Sequence, residues 1–232
     1  MTLILNIETA TETCSASLAE NGKLIAVKEN IDGQQHARLL TVFIDELFKE
    51  TGYSFNELSA VAVSKGPGSY TGLRIGVSAA KGIAYAADIP LIAISTLQAL
   101  TSSILNNIQI KIEPETWLCP MIDARRMEVY TAFYDIKNQL KKEISAEIID
   151  EHSFEDILGT RKVIFFGNGA LKCRQNIQSP NAIFIDHAIC SARDMCSLSF
   201  TAWQNHDFVD VAYFEPLYLK DFVATVPRNL LG

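Results

Sequence analysis

Residues 2–31 read Thr2-Leu-Ile-Leu-Asn-Ile-Glu8, a polar turn, Cys14-Ser-Ala-Ser-Leu-Ala-Glu20, Asn21-Gly22, and Lys23-Leu-Ile-Ala-Val-Lys-Glu-Asn-Ile31. The first run is a short apolar strand, the second alternates small and polar residues, and Asn-Gly is a two-residue hairpin signal into a third strand. The period then changes: Leu39, Leu40, Phe43, Ile44, Leu47 and Phe48 follow helical spacing over 36–50, and Gly52 ends that helix. A buried strand at 58–64, a glycine-rich turn, a helix over 71–87, a strand at 91–94 and a helix capped by Ser95 or Thr96 follow. The order then repeats. Strands are expected at 117–122, 129–135 and 140–149, with Lys137-Asn138 at the second turn. A short helix capped by Ser153, a strand at 163–166, a polar helix at 170–177, a strand at 183–185 and a helix over 191–205 complete the second unit. Corresponding strands in the first part of each unit lie roughly 115 residues apart, so each unit reads βββαβαβα and the chain reads as a duplication. The polar stretch 106–116, containing Pro114, is the natural boundary, which divides the chain into 1–108 and a second, degenerate half with a C-terminal tail, 109–232.

Two such units face to face match the actin-like ATPase and sugar kinase (ASKHA) architecture, an α/β fold in which each half is a ribonuclease-H-like sheet with helices. Element order speaks to fold and leaves the chemistry open. Composition narrows that chemistry. Of 232 residues, 48% are hydrophobic and 20% charged, an ordinary globular balance. No apolar run approaches the roughly 20 residues of a membrane span, and Met1-Thr-Leu-Ile-Leu-Asn-Ile-Glu8 does not read as a signal peptide. Five scattered cysteines without a CxxC spacing argue against a disulfide framework or a zinc site and for a reducing cytoplasm. With 20 Lys+Arg against 27 Asp+Glu, the net charge of −7 is opposite in sign to that of a protein that grips a nucleic-acid backbone by itself. The doublets Arg125-Arg126, Lys141-Lys142 and Arg161-Lys162 read as solvated strand and turn ends.

In the matched architecture a nucleotide lies in the cleft between halves, approached by the turn after the first strand of each. Those turns here are Glu8-Thr-Ala-Thr-Glu12-Thr13 and Asp123-Ala-Arg-Arg126, and neither contains glycine. Glu8 and Asp123 end equivalent strands, with Glu12 beside the first. A paired-carboxylate or magnesium role for them stands against the plainer one, in which each carboxylate bonds backbone N–H groups of its own turn. His36, His152, His187 and His206 are lone, with Leu40 four positions after His36, so no histidine pair for a metal is expected. No Gly-x-Ser-x-Gly elbow appears, and no cysteine stands near a histidine in a motif.

The stretch Ser64-Lys-Gly-Pro-Gly-Ser-Tyr-Thr-Gly-Leu-Arg-Ile-Gly-Val-Ser-Ala-Ala-Lys-Gly82 sits where phosphate loops sit, between a strand and a helix. It is not a Walker loop, because Gly72-Leu73 stands where Gly-Lys-[Ser/Thr] is required, and its glycine spacing misses the dinucleotide fingerprint. Gly72, Gly76 and Ala80 recur every four residues and lay a side-chain-poor stripe along the helix. Helical glycine costs about 0.5–1 kcal/mol relative to alanine, so the stripe needs an offsetting gain. That gain is either close packing inside the chain or a docking face for another subunit. On the docking reading, Gly76→Arg is expected to leave the fold intact and abolish association.

Residues 66–82 resemble the signature of the TsaB (YeaZ) family. Ile4-Leu-Asn-Ile-Glu-Thr-Ala-Thr-Glu-Thr-Cys-Ser-Ala-Ser-Leu18, Ile94-Ser-Thr-Leu-Gln-Ala-Leu100, Ile122-Asp-Ala-Arg-Arg-Met-Glu-Val-Tyr130 and Glu215-Pro-Leu-Tyr-Leu219 support the resemblance, which is strong over 1–135 and thin over 140–205. It implies a non-catalytic subunit of the machinery that makes threonylcarbamoyladenosine in tRNA, without a cofactor or metal of its own. Such a subunit scaffolds and activates a paralogue, TsaD, with the ATPase TsaE joining the pair, and contacts tRNA only indirectly. It pairs through its first two helices, which by position places His36, Leu39, Leu40, Phe43, Tyr70, Gly72, Leu73, Gly76, Val77 and Ala80 at the contact, and alone it forms a homodimer through the same face. Glu8, Met127 and Asn168 stand where the family more often has Asp, Gly and Asp. Two further classes are a nucleotide-binding enzyme of the ASKHA type and, last, an M22-type glycopeptidase.

Overall fold

The computed structural model describes residues 1–33, 35–107 and 112–220; the boundary placed at 108/109 and the tail beyond Lys220 lie outside them. β1 (Leu3–Glu8), β2 (Cys14–Glu20) and β3 (Lys23–Asn30) form the antiparallel meander. Asn21 and Gly22 have φ of 49° and 78°, the paired positive values that a two-residue turn of this hand demands. α1 (His36–Thr51), β4 (Ala60–Ser64), α2 (Tyr70–Ala87) and β5 (Leu91–Ile94) extend it by parallel crossovers to the order β3-β2-β1-β4-β5. α3 (Thr96–Asn107) leads to β6 (Trp117–Asp123), β7 (Glu128–Tyr134), β8 (Leu140–Ile148), α4 (Glu155–Leu158), β9 (Val163–Phe166), α5 (Ala170–Cys173) and β10 (Ala182–Ile185). The second sheet, β8-β7-β6-β9-β10, repeats the first strand for strand. A 3₁₀ turn at Ala192–Met195 runs into α6 (Cys196–Gln204). The α/β architecture of two ribonuclease-H-like halves is the one expected.

β1 is buried on both faces, and its period of two divides the core. Leu3, Leu5 and Ile7 join the cluster under α1 and α2, whereas Ile4 joins a cluster with Ala60, Ile92 and Met195 that α6 covers through Leu198, Phe200 and Trp203. α3 packs against the other sheet, with Leu97, Leu100 and Ile104 on Leu118, Ala132, Ile164 and Phe166. Each half thus lends its last helix to its neighbour's sheet, and the two helices form the layer between the sheets.

The second half departs from expectation in its helices. Ser153 does not cap α4: its hydroxyl accepts from the Asp150 amide and donates to the Asp150 carboxylate, both at 2.9 Å, and Phe154 enters with φ 65°. The helix expected over 170–177 stops at Cys173, and Asn176 turns its amide to the Ile149 carbonyl at 3.2 Å. The Ser153 bonds are local and compete with helical ones, whereas the Asn176 bond reaches a carbonyl 27 residues away. Beyond α6 the chain returns as a strap. Val209 bridges Leu91 at the sheet edge, Lys81 donates to the carbonyls of Ala212 and Phe214 at 3.0 Å, and Leu217 N–H donates to Lys65 O at 2.7 Å. Lys220 then pairs with Glu128 of the second half.

Candidate partner-docking site

Glu8 and Asp123 end equivalent strands in very different surroundings. Glu8 is fully buried; Oε1 accepts from Ala10 N–H at 2.6 Å and Ser64 Oγ at 3.0 Å, and Oε2 has no hydrogen-bond partner. Burial pushes its carboxyl up to about 7, against the hydrogen bonds that pull it down. Asp123 is exposed, accepts from Arg125 N–H at 2.8 Å and pairs with Lys172, which also donates to the Arg126 and Glu128 carbonyls at 2.7 Å. Each carboxylate thus serves its own turn, the plainer of the two readings. Glu12 reaches across to the other half, where Asn168 Nδ2 donates to its Oε2 at 2.6 Å while Asn168 Oδ1 accepts from Asp123 N–H at 2.9 Å. An Asp at 168 has no proton to donate to Glu12 at neutral pH, which accounts for the amide there. Met127 needs no glycine, because the positive φ values of this turn fall on Arg125 (70°) and Arg126 (50°).

Among the described residues no three His, Cys, Asp or Glu side chains are placed to hold a metal ion. His36 is buried, and its Nε2 donates to the Thr11 carbonyl at 2.9 Å, which ties the first turn to the start of α1. All five cysteines are buried and free, and burial raises every thiol above its ordinary value, so none carries the thiolate character of a nucleophile.

The glycine stripe faces inward. A Cβ on Gly72 would stand 2.1 Å from the Thr9 carbonyl oxygen, and one on Gly76 2.2 Å from Thr9 Oγ1, which donates to Gly72 O at 2.8 Å. The stripe lets α2 settle onto the end of β1, so the gain that offsets the helical glycines is internal packing. Gly76→Arg therefore places a long side chain where a methyl group already collides, and the variant is expected not to fold. Leu40, Val77 and Ala80 are buried in the core under α1 and α2, Leu39 and Phe43 pack on its margin, and Leu73 is fully buried as well. Of the residues expected at the contact, Tyr70 and the edge of Leu40 line an open groove between the outer faces of α1 and α2.

That open groove has a volume of about 560 Å³ and is completed by Ala37, Thr41, Thr71, Arg74, Ile75 and their neighbours Ser78 and Ala79. Sequence reasoning missed these because an apolar helical stripe marks the buried face. Their own signal was the small and polar recurrence Thr71, Arg74, Ser78, Gly82 on the opposite side of α2. Gly82 differs from the inner glycines in meeting nothing within 4 Å.

A family model described as TsaD, tRNA N6-adenosine threonylcarbamoyltransferase, matches residues 27–227, which include both α1 and α2. The Escherichia coli (strain K12) tRNA threonylcarbamoyladenosine biosynthesis protein TsaB is 29% identical over 95% of this chain and 96% of its own length. A tRNA N6-adenosine threonylcarbamoyltransferase of Halalkalibacterium halodurans is 40% identical over 40% of this chain and 32% of its own. A Pseudomonas aeruginosa crystal structure, of a protein with similarity to the peptidase YeaZ, superposes with a TM-score of 0.83 at 26% identity, over 95% of this chain and all of that one. Similarity along nearly the full length of the TsaB relative, together with a family model that matches residues 27–227, leaves one assignment: the chain belongs to the family that the TsaD model describes and, within it, to the TsaB (YeaZ) proteins.

Proposed function

We propose that this chain serves tRNA threonylcarbamoyladenosine biosynthesis as a non-catalytic partner that binds and activates a TsaD-type threonylcarbamoyltransferase through the groove between α1 and α2. The observation that supports this reading is the open groove between α1 and α2 in a chain that matches the TsaD family model over residues 27–227. A partner built from the same two helices presents a matching surface, so the pair meets about a pseudo-twofold axis, as two copies of one chain would. The first half, 1–108, carries the docking helices, and the second completes the scaffold. A TsaE-type ATPase joins through the complex, and the chain alone forms a homodimer through the same groove. Its acidic charge leaves tRNA to the partner, and the cytoplasm is its compartment. The non-catalytic role is supported by the engagement of Glu8, Glu12 and Asp123 in the protein's own turns and between its halves.

Sedimentation velocity tests it. The chain alone should run as a dimer, and adding the TsaD-type protein from the same genome should replace that dimer with a heavier mixed complex. Ser78→Arg, on the outer face, should abolish both while leaving the melting temperature unchanged. Absence of any complex, with and without ATP and the TsaE-type protein, would overturn the proposal.

A further inference from the structure

The turn after β1 is fastened to the starts of both α1 and α2. On the α2 side, Ser69 N–H donates to Ala10 O at 2.6 Å and Thr9 Oγ1 donates to Gly72 O at 2.8 Å. Gly68 stands so close to the turn that a Cβ there would lie 2.3 Å from Ala10 O. On the α1 side, His36 Nε2 donates to Thr11 O at 2.9 Å, while Gln35 gives that helix no side-chain cap. From beneath, Glu8 Oε1 accepts from Ala10 N–H at 2.6 Å and from Ser64 Oγ at 3.0 Å. Three consecutive buried residues, Thr9, Ala10 and Thr11, thus hold the first turns of two helices that β4 separates in sequence.

Those helices rest more on the sheet than on each other, α1 on β2 and β3 and α2 on β4. The groove between their outer faces has Ala37 and Thr41 on one wall and Thr71, Arg74 and Ser78 on the other. Ala37 follows His36 directly, and Thr71 directly precedes Gly72. The wall residues at the mouth are therefore chain neighbours of the residues the turn holds. We infer that Thr9 and His36 are positioning residues for the docking groove, which fix the starts of α1 and α2 against one turn and so set the separation of the walls that a TsaD-type partner meets. The inference rests on the docking reading above. Walls already held apart at the right distance spare association an ordering cost. The clamp also accounts for a first turn without glycine, because Thr9 supplies the hydroxyl while Gly72 and Gly76 supply the room for it.

Titration calorimetry of the full-length chain against the TsaD-type protein, run well below the melting transition, tests this, with Ser78→Arg as the control for docking itself. Under those conditions a merely structural loss lowers the melting temperature and leaves the affinity unchanged. Thr9→Ala and His36→Leu should each weaken binding about fivefold, the scale of one lost hydrogen bond. Thr9→Ser keeps the hydroxyl and His36→Gln keeps a side-chain N–H, so both should bind within about twofold of wild type. Spin labels on Thr41→Cys and Ser78→Cys in the free chain, selective because the five native thiols are buried, should report one narrow distance that Thr9→Ala and His36→Leu broaden. If Thr9→Ala does not fold, the His36 pair decides. If Ser78→Arg abolishes binding while Thr9→Ala and His36→Leu bind as wild type, the positioning role falls and the docking reading stands. The same holds if Thr9→Ser and His36→Gln match those losses, or if the label distance does not change. If Ser78→Arg binds as wild type, both fall.

Discussion

α1 and α2 lay 16 and 18 residues across the first sheet, whereas α4 and α5, their counterparts on the second, have four residues each. The sheets beneath share one strand order. In place of long helices, the second half has a row of rings. Trp117, Phe133, Phe154, Phe165 and Phe184 follow one another with centroids between 5.1 and 6.0 Å apart. Covering a sheet requires apolar volume, and two helical turns plus aromatic rings supply it as well as full helices do. The long helices of the first half therefore present an outer face that the sheet beneath does not need, and that is where the groove lies.

The comparison breaks most visibly at Phe165. Phe165→Ala should cost about 4 kcal/mol, read from the urea midpoint, because the ring is fully buried and the short helices above cannot close over its cavity. A loss below about 1 kcal/mol would mean that the aromatic row does not support the second half. Next come the paired strand-end carboxylates. The folded-state value of Glu8 lies near 7, above the ordinary 4.5, so between those values the folded chain holds a proton that the unfolded chain has released. The Glu8 contribution to stability should be fully present below about 4.5, fall by about 3 kcal/mol as pH rises through 7, and level off above. Glu8→Gln should abolish that fall, measured as unfolding free energy at pH 5 and pH 8. Asp123→Asn, at the equivalent but exposed position, should change stability by less than about 1 kcal/mol. Equal effects at the two sites would erase the distinction drawn between them. Gly82→Ala, on the open side of α2, should stabilise by about 0.5–1 kcal/mol in thermal unfolding, since no atom meets the added methyl and alanine is the better helix former. A destabilised variant would show that this face is covered. Smallest of all, Asn168→Asp should cost a few tenths of a kcal/mol at low salt and nothing at high salt, because the bond to Glu12 it removes is exposed.

The order of strands and helices, the duplication, the hairpin at Asn21-Gly22 and the spans of α1 and α2 were legible in the residues, because periodicity and turn chemistry are local properties. The signature at 66–82 pointed to the family for a related reason, since a run of adjacent residues carries it. Local hydrogen bonds at Ser153 left α4 without the expected cap, and the helix expected over 170–177 ended at Cys173, with Asn176 bonded to Ile149 far along the chain. The direction in which the small-residue stripe of α2 faces lay beyond the sequence. Gly72 and Gly76 record that something approaches closely, but what approaches is Thr9, 63 residues before Gly72. The crossing of α3 and α6 onto each other's sheets was equally hidden, because an apolar helical face states that a helix is covered without naming the sheet that covers it. Glu8 and Asp123 were equivalent in the chain and became unlike only when packing closed over one and left the other in water. Sequence specified the elements and their polarity, since both arise among near neighbours; tertiary structure alone chose which surfaces were consumed in the core and which remained exposed, since burial depends on residues that meet only in space.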